Sequence, residues 1–289
     1  MGSYLKYISS GLFLAMTCSN PASALSTTPE KPQTASVSLG AEFASGDYGT
    51  DSTVRSVYMP LIATWSPNDR FDIGIEIPFI YQSRSNITTG LYHASQSTTV
   101  AKTTARGGPG GNQQQQAGNS MASGPSKSGV SGLGDIILRL GVIAQTEETK
   151  LPQLRPSLFI KCPTANVSDG LGTGEFDIGI GVEASKWFGN TYLTGEGFYT
   201  YQGKADGFGL KNYFSFTTGV GYQATESVKP MLIVKGATAP STGLDGLLEA
   251  RARVIWSLTG TTALDLYGSR GITDSSPDYG GGMSVIYSF

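Results

Sequence analysis

Arg70-Phe71-Asp72-Ile73-Gly74-Ile75-Glu76-Ile77-Pro78-Phe79-Ile80-Tyr81 alternates along its whole length. Phe71, Ile73, Ile75, Ile77, Phe79 and Tyr81 occupy one set of positions; Asp72, Gly74, Glu76, Pro78 and Ile80 occupy the other. A β-strand sends successive side chains to opposite faces. The stretch therefore predicts a strand with one apolar wall and one mostly polar wall. Gly174 to Ser185 repeats the arrangement, setting Phe176, Ile178, Ile180, Val182 and Ala184 against Asp177, Gly179, Gly181, Glu183 and Ser185. In a soluble barrel the apolar wall turns in, and in a membrane barrel it turns out.

Strand length separates the two. The same reading predicts strands at about 34–44, 54–65, 70–82, 132–145, 153–163, 175–187, 191–202, 211–224, 228–239, 244–258, 261–270 and 279–289. Most exceed the five or six residues of a typical soluble strand and match the roughly 9 to 11 of a tilted spanning strand. The connectors alternate too. Ser66-Pro67-Asn68-Asp69, Thr146 to Pro152, Phe188-Gly189-Asn190, Thr225-Glu226-Ser227 and Thr259-Gly260 are short. Those at 45–53, 83–131, 164–174, 203–210, 240–243 and 271–278 are mostly longer. Tight periplasmic turns and longer external loops are the habit of outer-membrane barrels. With both termini on the periplasmic side, the strand count is even. The predicted fold is all-β: a transmembrane antiparallel up-and-down β-barrel of about 12 strands, at 34–289.

Composition agrees. Of 289 residues only 15% are charged, against about 25% in soluble domains. There are 39 Gly, 14 Tyr and 12 Phe, and the net charge is -2. No apolar run of about 18 residues follows residue 25, which excludes transmembrane helices. Near-neutral charge argues against nucleic acid as a partner.

The chain start reads as a secretory signal. Lys6 supplies the positive region, Tyr7 to Thr17 holds Leu12, Phe13, Leu14 and Met16, and Ala22-Ser23-Ala24 offers small residues for cleavage. A signal peptide at 1–24, cut after Ala24, leaves a short arm at 25–33. Cys18 follows Ala15-Met16-Thr17, a poor lipobox. Once it departs, Cys162 stands alone and no internal disulfide is expected. The end of the chain, Met283, Val285, Tyr287 and Phe289 at alternate positions, resembles the terminal signal that the barrel-assembly machinery of the outer membrane recognises.

The 83–131 segment is low in complexity, with Gly107-Gly108-Pro109-Gly110-Gly111 and Gln113-Gln114-Gln115-Gln116. It carries Arg84, Lys102, Arg106 and Lys127 without an acidic residue. It reads as a disordered external loop, or more sharply as a basic loop that meets lipopolysaccharide phosphates or gates a pore.

Catalysis has little to work with. His93 is the sole histidine and lies in that loop, so no Ser/His/Asp grouping can be assembled. One histidine and one mature cysteine make no zinc site. No enzyme activity, cofactor or metal is expected. Gly132-Leu133-Gly134 and Gly170-Leu171-Gly172-Thr173-Gly174 lack the strand-to-helix setting of phosphate-binding glycines. By alternation Asp72, Glu76, Asp135, Arg139, Arg155, Lys161, Asp177, Glu183, Glu249, Arg251 and Arg253 should point into the barrel, because charge in mid-membrane lipid is costly. They read either as a paired network plugging a narrow lumen or as a charged constriction that selects solutes. Trp65, Trp187, Tyr199, Tyr201, Tyr213, Tyr222 and Trp256 fall near strand ends and read as interfacial girdle residues.

Two motifs carry a family resemblance. Ser131-Gly132-Leu133-Gly134-Asp135 opens an alternating strand, and Lys161-Cys162-Pro163-Thr164-Ala165 runs through Leu171-Gly172-Thr173-Gly174 to Asp177. They resemble the MetA-pathway of phenol degradation family of outer-membrane proteins, often described as transporters. The family pattern is a Gly-x-Gly-Asp strand, a Pro-Thr-Gly loop, then Leu-Gly-Thr-Gly and an Asp soon after. Ala165 departs from the Gly of Pro-Thr-Gly. The resemblance spans about 50–289, with its specific motifs at 131–177. It implies a barrel and uptake of small hydrophobic or aromatic compounds. The expected function is a passive channel or facilitator in the Gram-negative outer membrane, whose partners are lipid, lipopolysaccharide, the assembly machinery and a small-molecule solute. The alternatives are a non-conducting structural or interaction barrel with a plugged lumen and, less favoured, an outer-membrane hydrolase.

Overall fold

A computed structural model describes residues 34–48, 53–83, 129–205, 209–242 and 244–289. The predicted signal peptide, the 25–33 arm, His93 and the 84–128 part of the long loop lie outside the described residues. The strands are β1 (Ala35–Gly46), β2 (Val54–Asn68), β3 (Phe71–Gln82), β4 (Val130–Leu133), β5 (Ile136–Val142), β6 (Gln153–Cys162) and β7 (Asp177–Phe188). They continue as β8 (Thr191–Tyr201), β9 (Tyr213–Tyr222), β10 (Val228–Ala237), β11 (Leu247–Ser257), β12 (Thr262–Gly271) and β13 (Tyr279–Ser288). No helix occurs among the described residues.

Every strand but β4 pairs antiparallel on both sides, β4 pairs only with β3, and β1 pairs with β13 from Ser36↔Ser288 to Ser45↔Tyr279. That last pairing closes the sheet on itself, as a membrane demands because lipid offers backbone groups no partner. Strands β4 and β5 both pair with β3 and form one interrupted stave, so the barrel has 12 staves. The interruption is a bulge. Ile80 pairs with Gly132 and Glu76 with Ile137, so a four-residue step on β3 faces a five-residue step on its partner. The extra residue resets the alternation, and both Gly134 and Asp135 end up buried. The predicted strand at 132–145 runs through this break unbroken, since a single extra residue leaves no mark in a local pattern.

The outward positions are apolar. Leu39, Leu61, Ile73, Ile75, Ile180, Val182, Leu232 and Val285 are all exposed, Leu232 by 65%. In water such a belt would be an aggregation surface; around a spanning barrel it is the lipid-facing wall. Trp65, Tyr199, Tyr201, Tyr222 and Trp256 join it. Trp187 and Tyr213 do not, which corrects their reading as girdle residues. Tyr213 shares the inward parity of Ser215 and is 1% exposed. Trp187 shares that of Glu183 and Ser185, and its ring lies 4.8 Å from that of Tyr192. Proximity to a strand end was the wrong criterion there; parity decides.

Candidate functional site: the charged inner wall

All eleven candidate lumen residues (Asp72, Glu76, Asp135, Arg139, Arg155, Lys161, Asp177, Glu183, Glu249, Arg251, Arg253) lie on the inner side of the wall, and every one takes part in an ion pair. They form three groups. At the end of the barrel that carries the β6–β7 connection, Lys161, near the close of β6, is fully buried, with its Nζ 3.1 Å from Asp135 Oδ2 and 3.0 Å from Asp177 Oδ2. The same ammonium donates to Thr173 Oγ1 at 3.2 Å. Each carboxylate holds a loop through its second oxygen: Asp135 Oδ1 accepts Ala165 N–H and Asp177 Oδ1 accepts Gly203 N–H, both at 3.0 Å. The bulge is what aims Asp135 at Lys161.

A second group crosses β2, β3, β5, β6, β7 and β8. Arg139 donates to Glu76 Oε2 at 2.7 Å, and Tyr58 donates to the other oxygen of Glu76. Arg155 grips Asp72 with both ends of its guanidinium and lies 3.8 Å from Glu183 Oε2. Glu183 stands directly across from Glu196 on β8. On the far wall Arg253 forks onto Asp265, Arg251 pairs with Glu249, and Tyr267 donates to Glu42 Oε2 at 2.6 Å. The Arg251 guanidinium also lies 4.3 Å from the centre of the Tyr267 ring. Bidentate arginine–carboxylate geometry is among the stronger side-chain pairings, and here it fixes the staves relative to one another.

Glu42, Tyr58, Glu196, Lys229, Lys235, Asp265 and Tyr267 belong to this wall and were absent from the sequence-derived set. The signal was available. Each sits at the inward parity of its strand; Glu196, for example, shares its face of β8 with Thr194 and Phe198. Lys229 lies 5.0 Å from the Tyr192 ring centre and 5.5 Å from that of Trp187, a cation–π arrangement at the opposite end of the barrel from Lys161. Between the charges sit apolar layers: Ile137, Phe159 and Phe198 form one, and Tyr192, Met231, Ile233 and Ile255 another. Gly179 makes room for the first, since a Cβ there would fall 2.0 Å from the Phe159 ring.

Outside the spans, burial first, then Glu249 and Asp278, pushes the Tyr48 phenol up, so it remains neutral. Cys162 is a free thiol. Among the described residues no group of His, Cys, Asp and Glu is placed to hold a metal ion. The terminal side chains Met283, Val285, Tyr287 and Phe289 face outward from β13, the last two rings meeting edge to face at 4.9 Å. Backbone bonds from Phe289 N to Ala35 O (2.8 Å) and Thr34 N to Phe289 O (3.1 Å) fasten the last residue to β1.

The profile of a family described as the MetA-pathway of phenol degradation matches residues 108–289. No protein of curated function matches the sequence. An outer membrane channel from Pseudomonas putida F1 superposes with a TM-score of 0.65 at 14% identity, covering 90% of this chain and 97% of that one. The KdgM porin gives 0.50 at 7% identity, over 88% and 99%. The translocator domain of the autotransporter NalP from Neisseria meningitidis gives 0.50 at 10% identity, over 90% of each chain. At such identities the similarity is one of fold.

Proposed function

We propose that this chain, which belongs to the MetA-pathway of phenol degradation family, is a passive outer-membrane channel for small solutes, reached by export and removal of residues 1–24. One observation carries the reading. The barrel is closed, apolar outside, and lined inside by arginine–carboxylate pairs on opposing walls. Paired charges give a lumen strong local dipoles, which discriminate among solutes by contact. The family name favours hydrophobic or aromatic compounds among those solutes. Membership of this family, and a lone histidine, support a channel rather than an enzyme.

A second reading, a structural barrel with a closed lumen, has its own support: Glu76, Lys161 and Glu183 are at most 1% exposed. Single-channel recording of the refolded mature protein in a planar bilayer separates the two. The channel reading expects steady openings whose ion selectivity shifts when Arg251 and Arg253 are changed to Gln. Silence from a folded, heat-modifiable barrel would reject it.

We further propose that the outward Met283, Val285, Tyr287 and Phe289 are read by the barrel-assembly machinery. Removing Phe289 is then expected to cut the outer-membrane level of the protein by about tenfold, with normal refolding of the purified chain; the loss of its terminal aromatic packing alone is a modest change. Unchanged levels in membrane fractions would reject the assignment.

A further inference from the structure

The connection between β6 and β7, residues 163–176, has no need to touch any stave but its own two. It nevertheless crosses the inner face of β4. Leu171 is 1% exposed and packs with Tyr58 and Ile80, which face inward from β2 and β3. Val130 on the inner face of β4 closes the same cluster. A Cβ added to Gly132 would meet Leu171 Cδ1 at 2.7 Å, so β4 is kept bare where the loop passes.

The loop is fixed at both ends and within. Lys161, one residue before the end of β6, binds Thr173 Oγ1 inside the loop and Asp177 where β7 begins. Asp135 receives Ala165 N–H, and Thr164 accepts Ile136 N–H at 2.9 Å while donating to Gly134 O at 3.2 Å. The tip is braced by Asn166, which accepts Ser168 N–H at 2.9 Å and donates to Asp169 at 2.8 Å. Swinging the loop outward would break the hydrogen bonds that tie Thr173 to Lys161 and Ala165 to Asp135, and would pull Leu171 out of its apolar seat. A loop held this way is a fixed part of the lumen.

We infer that the 163–176 loop is the constriction of the external mouth and sets the size of solute the barrel admits, with Leu171 as its anchor and Lys161 as a positioning residue. The inference rests on the channel reading. Its exposed tip, Ser168 and Asp169, presents polar groups to a passing solute, above the charged layers of the wall. The loop therefore limits solutes by cross-section, and the paired charges of the wall below it discriminate among those that pass.

The test uses the mature protein carrying Cys162→Ser, in planar bilayers, with folding verified by heat-modifiability. Ser168→Cys places a lone, exposed thiol on the tip, and Leu171→Gly removes the anchor. Pore width governs conductance, so labelling Ser168→Cys with a bulky anionic methanethiosulfonate should lower it about twofold, and Leu171→Gly should raise it about twofold. Labelling shown complete by mass, with conductance within about 10% of the unlabelled pore, would overturn the loop's role while leaving the channel standing. Should the parent be silent and Leu171→Gly conduct, the loop is a plug and not a constriction, and the inference falls together with the channel reading. Silence from both folded proteins would defeat this inference together with the channel.

Discussion

Lys161→Met is expected to destabilise the barrel by about 3–5 kcal/mol, the range for removing one partner of a buried ion pair. Met matches the length of the aliphatic stem, so packing is nearly preserved and the loss is electrostatic. What remains is a pair of carboxylates, Asp135 and Asp177, whose side chains are 2% and 1% exposed and whose common cation is gone. Burial disfavours the charged form of both, and proximity adds repulsion. The triple variant Lys161→Met, Asp135→Asn, Asp177→Asn should recover most of the loss. Asn keeps an oxygen for Ala165 N–H and Gly203 N–H while removing the charges. Urea-induced unfolding in lipid vesicles, followed by tryptophan fluorescence, gives the comparison. A single variant within about 1 kcal/mol of the parent would show that the triad contributes little, because surface-like pairs are worth no more than that.

How far the sequence carries is clear at that same triad. Asp135, Lys161 and Asp177 were each legible as inward-facing from alternation on their own strands, and so were Arg139, Arg155 and Glu183. A period of two is a local property, readable in any window of a strand. Their partnership was not legible. It depends on the bulge at Gly134-Asp135, which shifts one stave by a residue, and on a loop whose destination is set by contacts with β2 and β3. Leu171 looked like a residue in a glycine-rich turn, and only its seat against Tyr58 and Ile80 makes it part of the wall. Trp187 and Tyr213 fail for the opposite reason. Their ring type suggested a membrane interface, yet parity sends both inward. Side-chain chemistry is a weaker guide than register wherever one face of a sheet meets lipid and the other does not.

Register also makes the second large prediction. Leu232→Arg is expected to cost about 2–4 kcal/mol in a bilayer, the depth-dependent penalty for Arg on the lipid face of a barrel near the midplane. Leu232 lies midway along β10, is 65% exposed, and its cross-strand neighbours are Val220 and Ala252, both at outward positions. An exposed Leu→Arg change on a soluble protein is worth no more than about 0.5 kcal/mol either way. The two environments therefore predict different outcomes for one substitution. Tyr222→Arg, at the end of β9, supplies the control, since near the interface the penalty falls to about 0–1 kcal/mol. Unfolding free energies measured in vesicles should rank Leu232→Arg well below Tyr222→Arg, and equal values would contradict the lipid-facing assignment of this belt. The ranking depends on depth alone, because both positions share the outward parity and both are exposed, so neither burial nor charge pairing can produce it.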